Sequence, residues 1–76
     1  MAENTINLQP VDSTRIEAVG YDADSQTLRI RFKSNGSVYD YDDVPQDVYD
    51  ALMNSASVGR YFGESIEGVY SYTRIS

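Results

Sequence analysis

The dipeptide Asn35-Gly36 stands between two runs that alternate apolar and polar residues, and no other feature limits the chain as much. Before it, Leu28, Ile30 and Phe32 alternate with Arg29, Arg31 and Lys33. After it, Tyr39 and Tyr41 alternate with Val38, Asp40 and Asp42. A period of two marks a strand with one buried face. Asn-Gly is the strongest short hairpin signal, because a type I′ turn takes positive φ at both central positions. A two-residue loop at Asn35-Gly36 predicts a register. Lys33 then faces Val38, Phe32 faces Tyr39, Arg31 faces Asp40, Ile30 faces Tyr41 and Arg29 faces Asp42. One face of this hairpin is apolar, with Tyr39 and Tyr41 in a structural role toward the core. The other pairs arginines with aspartates.

The flanking segments extend the pattern. Residues 16–21 read as a strand with apolar side chains on both faces, followed by a polar turn over 22–26. If that loop holds three residues, Glu17 also lands opposite Arg31. Val44-Pro45 ends the sheet. Pro45, Val48, Tyr49 and Leu52 follow helical spacing, with proline favoured in a first turn. Ser57 reads as the N-cap of a second helix with Val58, Tyr61, Phe62 and Ser65 or Ile66 inward, and Gly68 as its stop. Residues 69–75 alternate and read as a last strand. The expected fold is α+β: a three-stranded antiparallel meander, two short helices packed on one face, and a C-terminal strand or extended segment. With 76 residues this is one domain, expected over 11–76, behind a flexible tail over 1–10.

The chain contains no histidine and no cysteine. It therefore lacks the usual base near neutral pH, a thiol nucleophile and the common transition-metal ligands. No cofactor and no metal are expected. Asp40, Asp42 and Asp43 are closely spaced, but the register sets the first two opposite arginines. Asp22 to Ser25 lacks the glycine and distant glutamate of a calcium loop, so it reads as a turn. An enzyme is the least favoured class. No apolar stretch approaches the roughly 20 residues of a membrane helix, and no signal peptide is visible, so a cytoplasmic monomer is expected.

A binding module remains. Arg29, Arg31 and Lys33 form the one basic stripe, and three cations on a strand face are able to track phosphates. Twelve acidic against six basic residues give a net charge of −6, which opposes loose binding to RNA. Seven tyrosines suit the edge of a thin core, a protein interface or a base-stacking platform. Tyr70 and Tyr72 are the candidates for exposed contacts. The partner is left open between RNA and a protein met by an acidic surface.

The ordered set Ser13 and Ile16, Gly20-Tyr21-Asp22, Leu28, Ile30 and Phe32, Gly36, Tyr39 and Tyr41, Val44-Pro45, and Ala56-Ser57 with Gly59 and Tyr61-Phe62 resembles the KTSC family. That family occurs at the C-terminus of some lysyl-tRNA synthetases and as small stand-alone bacterial proteins, with a central Tyr-x-Tyr as its hallmark. The resemblance implies a non-catalytic domain for which RNA, tRNA in particular, is the suggested partner. It carries over no catalytic residues. The hallmark maps to Tyr39 and Tyr41.

Overall fold

The computed structural model describes residues 6–76. Its five strands are β1 (Gln9–Pro10), β2 (Ile16–Asp22), β3 (Thr27–Phe32), β4 (Val38–Tyr41) and β5 (Tyr72–Arg74). They form one antiparallel sheet in chain order. Helices α1 (Gln46–Asn54) and α2 (Val58–Ser65) intervene between β4 and β5. The α+β class is as expected, but the three-stranded meander is only the middle of the sheet. The expected C-terminal strand is present, shortened to three residues and paired with β4, while β1 holds two residues, too few to show a period.

The helices pack through Leu52, Val58, Phe62 and Ile66 on the face that carries Ile16, Val19, Leu28, Ile30 and Tyr41. Ser57 caps α2 as its residue type predicts, its hydroxyl accepting from the Arg60 N–H at 3.3 Å. Pro45 stands one position before α1 in an extended conformation, rather than inside the first turn.

The hairpin register differs from the expected one by two residues. Leu28 faces Tyr41, Arg29 faces Asp40, Ile30 faces Tyr39 and Arg31 faces Val38. The Phe32 N–H donates to the Ser37 carbonyl at 2.9 Å, and the Gly36 N–H donates to the Phe32 carbonyl at 3.0 Å. The loop is thus Lys33 to Gly36, four residues, with positive φ at Gly36 alone. A four-residue loop built around a type I turn meets the strand twist with one left-handed residue. A shift of two leaves every side chain on its original face, so the alternation alone does not distinguish the registers. The faces are as expected, and the pairs are not.

The mixed pattern of β2 has a local cause. Ile16 pairs with Phe32 and Ala18 with Arg31, so Glu17 is extra, a bulge. It turns Ile16, Val19 and Tyr21 to the core, while Ala18 and Gly20 fall on the opposite face. Glu17 therefore does not stand opposite Arg31. On that opposite face the chain before β2 crosses Gly20. Of the expected tail, residues 1–5 lie outside the described residues. Ile6 is buried, and Gln9 and Pro10 pair with Val19 and Ala18.

Two glycine substitutions test this arrangement. A Cβ at Gly20 stands 2.5 Å from the Asn7 carbonyl oxygen. Gly20→Ala is expected to cost about 1–3 kcal/mol, as overpacking does, and to release the amides around Ile6 to hydrogen exchange. Gly36 has φ +72 and open space around it. Gly36→Ala is expected to cost about 1–2 kcal/mol from backbone conformation alone. Urea unfolding with hydrogen-exchange NMR measures both.

Candidate functional site

Alternation along β4 puts Ser37, Tyr39 and Tyr41 on the helix-bearing face. Phe32 joins them from β3, and Tyr72 stands beside Tyr41 from β5. Tyr39 and Tyr72 are tilted rings 5.3 Å apart, and Tyr41 and Tyr72 lie 5.5 Å apart. Tyr41 is only 4% exposed, whereas Tyr72 is 58% exposed. These aromatics floor an open cleft of about 800 Å³. The Lys33 to Asn35 loop borders it, and so do Arg15 and Glu67.

Arg15 and Glu67 are 52 residues apart in sequence and meet through two contacts of 2.8 Å from Nη2 to the carboxylate oxygens. The Arg15 guanidinium also lies over the rings of Phe62 and Phe32, at 5.3 and 6.0 Å from their centroids. Ring faces attract cations, so the arginine is held from two sides. Of the charged residues lining the cleft, Arg15 and Glu67 cancel and Lys33 remains. The cleft therefore has a local charge of +1 in a chain of −6. The Tyr41 hydroxyl is pushed up to about 12, first by burial and then by the Glu67 carboxylate. It stays neutral at physiological pH. The cleft thus brings together aromatic faces, phenolic hydroxyls and one cation that pairs with no carboxylate among the described residues, and these groups do not assemble a nucleophile with a base.

The expected basic stripe is not brought together. Arg29 holds Asp40 with two bonds, Nε at 2.8 Å and Nη2 at 3.1 Å, both side chains about one-fifth exposed. This bidentate pair occupies the guanidinium and raises its pKa further. Arg31, expected beside Asp40, is exposed opposite Val38 instead. Arg29 and Arg31 lie on the face away from the helices, while Lys33 reaches the cleft. Tyr72 lines the cleft too. Tyr70 is half-buried and packs against the core. Tyr39 is half-buried at the cleft and Tyr41 sits in the core, so the Tyr-x-Tyr pair both packs and lines. Arg15, Glu67 and Ser37 escaped the sequence reading. Ser37 was recoverable, since it shares the alternation of Tyr39 and Tyr41. The meeting of Arg15 with Glu67 left no local signal.

The sequence model of a family described as the KTSC domain matches residues 12–70. A protein from Tsukamurella paurometabola is 46% identical over 54 residues, which covers 71% of this chain and 79% of that one. A lysine–tRNA ligase from Nostoc is 41% identical over 61 residues, 80% of this chain but 11% of the ligase. The chain thus spans a small part of that relative. The crystal structure of a KTSC domain protein from Yersinia pestis superposes with a TM-score of 0.90 at 36% identity, covering 95% of this chain and 100% of the other.

The raised Tyr41 pKa makes stability depend on pH. The unfolded phenol ionises near the ordinary tyrosine value of 10.0, while the folded one holds its proton to about 12. Its contribution is therefore complete below pH 10 and is lost as pH rises toward 12. Urea midpoints are expected to fall between pH 9.5 and 12. Tyr41→Phe is expected to flatten that fall.

Proposed function

The chain belongs to the KTSC domain family, and on that footing we propose that it is a small non-enzymatic binding module whose working surface is the tyrosine cleft, with single-stranded RNA as its partner. The observation that carries this reading is the cleft itself. It offers aromatic rings beside Lys33, which pairs with no carboxylate among the described residues, in an otherwise acidic molecule. Bases stack on such rings without regard to sequence, at about 1–3 kcal/mol per base. A cation at the rim meets the adjoining phosphate. The similarity to part of a lysine–tRNA ligase supports RNA over other polyanions. The strand cations add little, because Arg29 is engaged by Asp40.

A second reading rests on a different observation. Val69, Tyr72 and Ile75 are large apolar residues exposed around β5, the edge strand of the sheet. An edge with exposed apolar side chains also suits a protein partner that adds a strand. The two readings separate by salt dependence.

With Lys33 as the one cation of the cleft, log K against log salt is expected to have a slope near −0.7 for single strands. Binding of labelled single-stranded RNA and tRNA is expected at low salt and to weaken severalfold at physiological salt. Tyr72→Ala and Lys33→Glu are expected to weaken it by about tenfold, while Tyr70→Ala leaves it unchanged. Fluorescence anisotropy measures this. Absence of RNA binding at low salt by a folded protein transfers the assignment to the protein partner.

A further inference from the structure

The loop that closes the hairpin leaves one polar atom unaccounted for. The Ser37 N–H donates to Asn35 Oδ1 at 3.0 Å, and the Ser37 carbonyl accepts from Phe32. Its backbone is therefore satisfied. Its side chain is not: Ser37 is 3% exposed, and among the described residues its Oγ is the buried side-chain atom with no hydrogen-bond partner. A buried hydroxyl without a partner is a standing free-energy cost, and alanine there would avoid it. Ser37 lines the tyrosine cleft, on the same face as Tyr39 and beside the loop that carries Lys33. Three chemistries therefore converge on one cavity. The Ser37 hydroxyl lies unpartnered just under the cleft surface, where a turn of its side chain presents a donor; among the described residues the ammonium of Lys33 has no carboxylate partner; and the rings of Tyr39 and Tyr72, tilted at 45° to one another, offer aromatic faces. A volume of about 800 Å³ lies within the range of small-molecule sites.

We propose that this cleft is a site for a planar ring carrying an oxyanion, with the ring against Tyr39 and Tyr72 and the anionic oxygens toward Ser37 Oγ and Lys33. The shared chemistry is an aromatic phosphate or carboxylate. A hydroxyl and an ammonium are both donors, so the head group must be an acceptor. The neutral Arg15–Glu67 pair adds no net charge, which fits a head group whose charge is small. The inference deepens the cleft's role as binding surface and does not depend on RNA.

The test uses the whole chain and four probes: adenosine monophosphate, benzoate, adenosine and inorganic phosphate. Each is titrated while amide NMR signals are followed. Saturable shifts centred on Ser37, Lys33 and Tyr72 are expected with adenosine monophosphate or benzoate. Adenosine and phosphate alone are expected to bind at least tenfold more weakly. A response to the nucleotide but not to benzoate identifies a phosphate head, and a response to both identifies any aromatic oxyanion. Ser37→Ala is expected to fold with an equal or higher melting temperature and to bind about tenfold more weakly, the loss of one hydrogen bond to a charged group. Tyr72→Ala, an exposed position, is the second variant and is expected to weaken binding while the fold is retained. The proposal is overturned if neither ring-bearing anion gives saturable shifts in the cleft. It is equally overturned if Ser37→Ala binds like the parent, or if Ser37→Ala is markedly destabilised, since the hydroxyl then has a structural partner. Binding of RNA without any response to the small anions leaves the module reading standing and removes this site.

Discussion

Phe62 is the contact on which the rest of the molecule depends. It is fully buried on α2, and three groups converge on it. Tyr41 meets its ring at 5.4 Å and 81°, Phe32 at 5.6 Å and 66°, and the Arg15 guanidinium lies over it. Edge-to-face pairs of this kind contribute about 0.5–1.5 kcal/mol each beyond the area they bury. One side chain thereby joins α2 to β3, to β4 and to the segment before β2. The same contact shapes the cleft, because Tyr41 and Phe32 turn one edge to Phe62 and help form its floor. Core packing and the cleft are not separate parts of a domain this small.

The sheet shows what alternation specifies and what it leaves open. Leu28, Ile30, Phe32, Tyr39 and Tyr41 were legible as one face, since a single-residue slip would have turned them to solvent. The register itself was not legible. A slip of two keeps the faces, and only the loop geometry decides it, with Gly36 alone in the left-handed region. That displacement moved the arginine–aspartate pair from Arg31 to Arg29 and so changed which cation is available. Glu17 hid the phase of β2, because a bulge is a local choice of backbone that alternation reads as noise. Ser57 as a cap and the buried stripe of α2 followed from local chemistry and were legible. The last strand was legible in the alternation of residues 69–75, though not its pairing with β4, whereas β1 and the Arg15–Glu67 pair depend on contacts between distant residues, for which a single chain carries no local mark.

The charge of the molecule and the charge of its cleft point in opposite directions. A net −6 keeps polyanions at a distance, yet it acts through solvent and fades within a Debye length of about 10 Å. Inside the cleft Arg15 and Glu67 neutralise one another, and among the described residues Lys33 pairs with no carboxylate. Recognition of the kind proposed would then be short-ranged, carried by rings and donors rather than by long-range steering, which suits selectivity better than affinity.

The central claim is that one aromatic contact both holds the helices and shapes the cleft. Its most direct test is Phe62→Leu, studied by urea unfolding together with the NMR signals of the cleft. Leucine keeps the site apolar but removes both edge-to-face pairs and the surface under Arg15. A loss of about 1–3 kcal/mol is expected. The signals of Phe32, Tyr41 and Arg15 are expected to shift, while the loop around Gly36 keeps its own. A variant with unchanged midpoint and an undisturbed cleft would contradict the claim.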